Sequence, residues 1–238
     1  MTGFEGFPTA ALDFYDDLEM DNTKSFWEAH KQTYVDAVKA PMTALTDALS
    51  DEFGKAKIFR PYRDVRFASD KTPYKTSQGA YVGVAEATGW YVQLSAAGVM
   101  VGGGFYHAAG PALARVRAAI DDERRGTELV KILKSLERKG FTVEGDKLKT
   151  TPRGYDADHP RIDLLRHKSL VVRREYGFEP IIHTPALLTQ VRKDWRAVRP
   201  LVEWSHREIG EVSSSRWPRA GRAHRVFTDS TPEAPRSP

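Results

Sequence analysis

Arg60, Arg63, Arg66, Lys71 and Lys75 crowd one short stretch, RPYRDVRFASDKTPYKT, interleaved with Tyr62, Phe67, Tyr74 and two carboxylates, Asp64 and Asp70. Arginine offers a planar fork of donors that matches phosphate or carboxylate, and lysine adds a compact point charge. The pattern predicts that Arg60, Arg66, Lys71 and Lys75 bind an anion, with Arg63 close by. Tyr62 and Tyr74 would stack on it or position it. Asp64 and Asp70 would orient the cations, and either is a candidate general base. A second reading makes the cluster an internal ion-pair brace in a non-enzymatic scaffold or interaction domain. Residues 1–54 carry a net charge of −8 against +5 over residues 55–75, which suits such pairing. If the stretch alternates as a strand with Val65 and Phe67 inward, Arg60, Tyr62, Asp64 and Arg66 share one side. Arg63 then faces the core, where it needs an acidic partner.

A second polar stretch, Pro152-Arg153-Gly154-Tyr155-Asp156-Ala157-Asp158-His159-Pro160, reads as a loop. Arg153 and the later Lys168 join the candidate ligand-binding residues, and His159 is a more distant candidate for acid–base work. His107 could complete such a site. Asp156, Asp158 and His159 are of metal-ligating types, but no paired motif such as H-x-x-x-H accompanies them, and no metal site is assigned. Capping of the next turn by Asp158 or His159 competes with any catalytic role. Lys75-Thr76 lacks the upstream glycines of a P-loop. Gly102-Gly103-Gly104 lacks dinucleotide-loop spacing and reads as a bulge or a close backbone packing point. No cofactor is named by these residues.

The elements that must position these groups follow from periodicity. Pro8-Thr9 predicts a helix entry with Thr9 as N-cap, followed by Leu12, Tyr15 and Leu18 at helical spacing. A second helix is expected over 23–38 and a third from Pro41 to Gly54. Residues 57–67 read as a strand or extended arm, and 69–73 as a turn. Residues 81–86, 90–95 and 99–105 read as an antiparallel meander turned at Thr88-Gly89 and Ala97-Gly98. Helices are expected from Pro111 and around Leu129–Leu136, with a hairpin pairing 141–143 with 148–150. A strand over 169–176 and a long helix over 185–209, kinked or split at Pro200, complete the pattern. The fold class is therefore α+β: a mostly antiparallel sheet, with its meander near 80–105, covered by N-terminal helices and a long C-terminal helix.

The chain has 238 residues, 40% of them hydrophobic, enough for one domain over 1–210 followed by a flexible basic Ser/Arg/Pro-rich tail over 211–238. It contains no cysteine, which excludes disulfides, thiolate metal sites and a cysteine nucleophile. An acidic start and the absence of a long apolar run predict a cytoplasmic protein with no membrane partner. The net charge of +4 is shared unevenly. Focused charge of this kind favours a small phosphate-, nucleotide- or carboxylate-containing ligand over nucleic acid. Single-stranded nucleic acid is the weaker alternative, through aromatic stacking and the tail arginines.

The stretch Arg60-x-Tyr62-Arg63-Asp64-x-Arg66-Phe67 with Asp70-Lys71-Thr72-Pro73-Tyr74-Lys75-Thr76 resembles the signature of an uncharacterised family, domain of unknown function 2461. Phe26-Trp27 with His30, Lys31, Tyr34 and Pro41 agrees with it. So does Pro152-Arg153-Gly154-Tyr155 with Asp158-His159-Pro160, Leu164-Leu165 and Lys168. Ala68 and Ser77 depart from the serine and histidine that the family favours. The resemblance spans roughly Phe4 to Ile209 and implies a single α+β domain in a soluble cytoplasmic protein, without implying an activity.

Overall fold

The computed structural model describes residues 3–209 apart from 65, 67–69, 86 and 109. The inward placement of Val65 and Phe67, the position of Ala68, the first residue of the 69–73 turn, the end of the expected 81–86 strand and the basic tail lie outside the described residues.

The N-terminal quarter is helical. Helix α1 (Thr9–Met20) buries Leu12, Phe14, Tyr15 and Leu18. Its N-cap is Pro8, and Thr9 is instead the first helical residue; no side-chain bond caps it. A proline in extended backbone suffices here because the first N–H groups of a helix have no intrahelical acceptor. Helix α2 (Lys24–Thr33) is capped by Thr23, whose side chain accepts from the Phe26 N–H. It continues through a π turn (Tyr34–Lys39) into α3 (Ala40–Asp47), followed by the single turn α4 (Ser50–Phe53) and Gly54 at φ +98°.

Six strands follow: β1 (Lys57–Ile58), β2 (Ser77–Ala85), β3 (Thr88–Ser95), β4 (Gly98–Phe105), β5 (Thr142–Glu144) and β6 (Leu170–Gly177). They pair in the order β1-β2-β3-β4-β6-β5, each pair antiparallel. The meander is thus present and longer than its apolar runs suggest. Thr88 and Gly89 are strand residues, paired with Ala85 and Gly83, so the expected turn lies earlier, at Ala87 with φ +55°. The 141–150 hairpin does not form. Residues 142–144 instead pair with β6, and 147 bridges 167. Pairing with an established strand leaves β5 half-covered, whereas a lone two-stranded hairpin is marginal in water.

Helices α5 (Pro111–Asp121), α6 (Glu123–Glu137), α7 (Ile162–Leu165) and α8 (Ala186–Ile209) complete the chain. Pro200 sits inside α8 without splitting it. The helix crosses the sheet centre, where reciprocal indole bonds lock it: Trp90 Nε1 donates to the Trp195 carbonyl at 3.0 Å, and Trp195 Nε1 to the Tyr91 carbonyl at 3.3 Å. Gly103 permits the approach, since a Cβ there would stand 2.8 Å from Val198 Cγ1. The glycine run in β4 therefore serves packing. One face of the sheet, with Val82, Trp90, Val92, Val101 and Val172, joins the helices in the main core. The opposite face carries a smaller cluster that includes Phe59, Tyr81, Tyr91, Met100 and Tyr106.

Candidate functional site

The cation-rich stretch departs from the expected long strand. After two paired residues in β1 the chain leaves the sheet. A short antiparallel ribbon forms outside it, in which Tyr62 bridges Tyr74. The Arg63 N–H donates to the Pro73 carbonyl at 2.9 Å and the Lys75 N–H to the Pro61 carbonyl at 2.7 Å. Strand alternation then separates the side chains. Tyr62 and Tyr74 point one way, onto Trp27, while Arg63 and Lys75 take the other side. Trp27 stacks on Tyr74 at 4.4 Å and 8° and approaches Tyr62 at 5.9 Å. The two tyrosines expected to hold a ligand beside the cations thus dock the ribbon onto α2, although Tyr62 stays 47% exposed.

Two side chains outside the stretch hold it in place. Asn22, after α1, pairs its amide with the backbone of Tyr74 in both directions, each at 3.0 Å, as a neighbouring strand would. Tyr34 donates to Gln78 Oε1 at 2.6 Å, and Gln78 Nε2 donates to the Phe59 carbonyl at 2.8 Å and the Gly79 carbonyl at 2.9 Å. Burial pushes the Tyr34 phenol up to about 12, so it donates at any ordinary pH. Neither Asn22 nor Gln78 stood out in the sequence. A lone amide carries no spacing signal, and its partner is backbone 52 residues away.

Two of the guanidiniums pair with carboxylates of the same stretch. Arg66 grips Asp64 through Nε and Nη2 at 2.8 and 2.7 Å, in the open. This raises the already high pKa of the guanidinium. Arg63 pairs with Asp70. Asp70 Oδ1 also accepts from the Thr72 N–H at 2.9 Å and the Thr72 hydroxyl at 2.8 Å. Those bonds, Thr72's first and then the Arg63 charge, pull its carboxyl below the usual range. Arg63 is half-buried and finds its acid within the same ribbon. Among the described residues no ion pair joins the cluster to the acids of α1 or α2. Lys71 is exposed.

Lys75 is different. It is 7% exposed, the one buried lysine among the described residues. Its Nζ donates to the Arg60 carbonyl at 2.9 Å and lies 5.5 Å from the centre of the Phe59 ring. No carboxylate among the described residues pairs with it. Burial, and then the Arg60 and Arg63 charges, bring its ammonium down to about 8. The Arg60 side chain is exposed and makes no ion pair among the described residues.

The second stretch lies elsewhere. His159 Nδ1 accepts from the Arg161 N–H at 3.0 Å while Nε2 faces Asp121 Oδ1 at 3.1 Å, so both ring nitrogens are engaged at the entry to α7. Arg161, unremarkable in the sequence, donates to the Ile120 and Asp121 carbonyls at the end of α5. Arg153 is exposed on this loop. Lys168 is exposed and joined by backbone to the residue after His107, through the Ala108 N–H to the Lys168 carbonyl at 3.1 Å. That junction adjoins the Phe105–Leu170 pair, at the end of the sheet opposite Ser77. No described contact ties Arg153, His159 or Lys168 to the ribbon. No group of three or more His, Asp or Glu among the described residues could hold a metal ion. No helix among them is long and apolar enough to cross a membrane.

An antiparallel sheet clasped by α8, with a docked cationic ribbon at its edge, defines an α+β protein class. The family model described as "Conserved hypothetical protein (DUF2461)" matches residues 10–204, and the chain belongs to that family. No curated protein matches the chain.

Proposed function

We propose that the ribbon binds a small anion, a phosphate- or carboxylate-bearing molecule, between Lys75, Arg63 and Arg60. One observation carries this reading: Lys75 is buried, its Nζ donates to the Arg60 carbonyl at 2.9 Å, and no carboxylate among the described residues pairs with it. Burying an unpaired charge costs several kcal/mol in general, so a protein retains one where something else completes it. Arg63 can turn part of its fork to the ligand while Asp70 holds the rest. Arg60 is exposed and has the reach of a clamp. The Asn22 and Gln78 bonds fix the backbone that presents all three, which limits the ordering cost of binding.

The test is a thermal-shift series with inorganic phosphate, nucleotides and dicarboxylates. A binding anion at about a hundred times its Kd should raise Tm by about 5 °C or more. Arg60→Ala should remove that rise and leave the unliganded Tm in place. Absence of a shift with every anion would sink the reading. The alternative, an ion-pair brace in a scaffold protein, is favoured by the Arg63–Asp70 and Arg66–Asp64 pairs. It predicts that Asp70→Asn lowers the melting temperature while anions do nothing.

A further inference from the structure

We propose that Lys75 is a covalent capture point, its amine condensing with the carbonyl carbon of an anionic aldehyde or ketone that Arg60 and Arg63 hold by its phosphate or carboxylate. This rests on the anion reading above and assigns the ligand a second functional group.

Three features of the site support it. A lysine becomes a nucleophile when burial and neighbouring cations disfavour its ammonium form, since only the neutral amine has a free electron pair. Lys75 meets both conditions: it is buried with its Nζ 5.5 Å from the centre of the Phe59 ring, and the Arg60 and Arg63 charges add to burial in disfavouring its ammonium form. No carboxylate among the described residues stabilises its charged form. Among the described residues its Nζ makes one hydrogen bond, to the Arg60 carbonyl, which uses an N–H and leaves the electron pair of the neutral amine available. That bond also ties the amine to the backbone of the residue whose guanidinium would hold the anion, so one short segment fixes both ends of the ligand. The other described lysines are exposed.

The chemistry balances without a further reactant. The amine's electron pair forms the C–N bond as the carbonyl π bond breaks. The nitrogen then loses its two hydrogens and the carbonyl oxygen leaves with them as water. The product is an imine, and no oxidant or reductant is consumed.

Pyridoxal 5′-phosphate is a suitable probe, carrying both an aldehyde and a phosphate. The full chain is treated with an equimolar amount near pH 7.5, reduced with borohydride and digested, and the modified lysines are located by mass spectrometry. At that pH an amine titrating near 8 is neutral in about a quarter of molecules, against about one in a thousand for an ordinary lysine. After allowance for restricted access, Lys75 should be labelled about tenfold faster than the exposed lysines. Inorganic phosphate should slow it, Arg60→Ala should slow it, and pyridoxal without the phosphate should label it several-fold less. Labelling spread over the exposed lysines with Lys75 spared overturns the proposal. If phosphate still raises Tm in that case, the anion reading stands and only the covalent step falls; if it does not, both fall. Equal labelling of Lys75 by both aldehydes, indifferent to phosphate, overturns the anionic ligand class.

Discussion

Two regions of this molecule gather arginine and lysine, and they treat the charge in opposite ways. Along α8, carboxylates meet the cations. Glu52 accepts from Arg196 at 2.7 and 2.8 Å and from Arg199 at 2.9 Å, with Arg192 at 3.8 Å. Buried Asp194 takes the Tyr176 hydroxyl at 2.5 Å, Gln190 at 3.1 Å and Arg174 at 3.3 Å. Glu208 receives Arg125 and Arg207. In the edge ribbon the pairs are local, and the buried cation, Lys75, donates to a carbonyl with no carboxylate partner among the described residues. The α8 arrangement fastens a helix to the sheet and to α4. The ribbon arrangement keeps Lys75 buried with no carboxylate partner among the described residues, at the expense of stability.

That contrast can be broken most forcefully at Asp194. Asp194→Ala leaves the Tyr176 hydroxyl buried without its acceptor and frees Arg174, and should lower unfolding free energy by about 3 kcal/mol in urea titrations. A change within a few tenths would mean that the α8 network is decorative. Lys75→Met should move stability the other way, up by on the order of 2 kcal/mol at pH 7, because it removes a buried charge and keeps the volume. The pH dependence sharpens this. Between about 8, where the folded amine titrates, and the ordinary 10.5, the unfolded chain holds the extra proton. Wild-type stability relative to Lys75→Met must therefore rise with pH across that window. The variant's advantage should be full below pH 8 and fade toward pH 10. A pH-independent difference would show that Lys75 is not held as a disfavoured cation. The smallest effect is expected at Glu52. Glu52→Gln leaves three guanidiniums without their shared charge at a partly exposed site and should cost about 1 kcal/mol, shrinking in high salt.

Much of the frame was legible from periodicity. The meander, α5, α6 and α8 stand close to where apolar spacing, Pro111 and Gly140 put them, because each signal is local. The β5 partner was not legible. Residues 142–144 are equally compatible with a nearby hairpin, and only the exposed edge of β6, formed by residues 170–177, decides between them. Pro200 leaves α8 unsplit for a related reason. Its local penalty is real, but the long apolar face of α8 packed on β3 and β4 outweighs it. At the candidate site, the sequence marked the stretch where cations and tyrosines concentrate, but not that Tyr62 and Tyr74 pack on Trp27. A strand of unknown twist and depth does not reveal which side meets a tryptophan from another helix.

By itself, the sequence determined the fold class, the family and the stretch where cations concentrate. These depend on spacing within a window of residues, and a linear pattern records that directly. Which cations are neutralised was decided only by the tertiary structure. Pairing requires a carboxylate within about 4 Å in space, and the chain that supplies Glu52 to α8 supplies none to Lys75 among the described residues. Burial, which turns a missing partner from trivial to consequential, is likewise a property of the assembled layers and of no single segment.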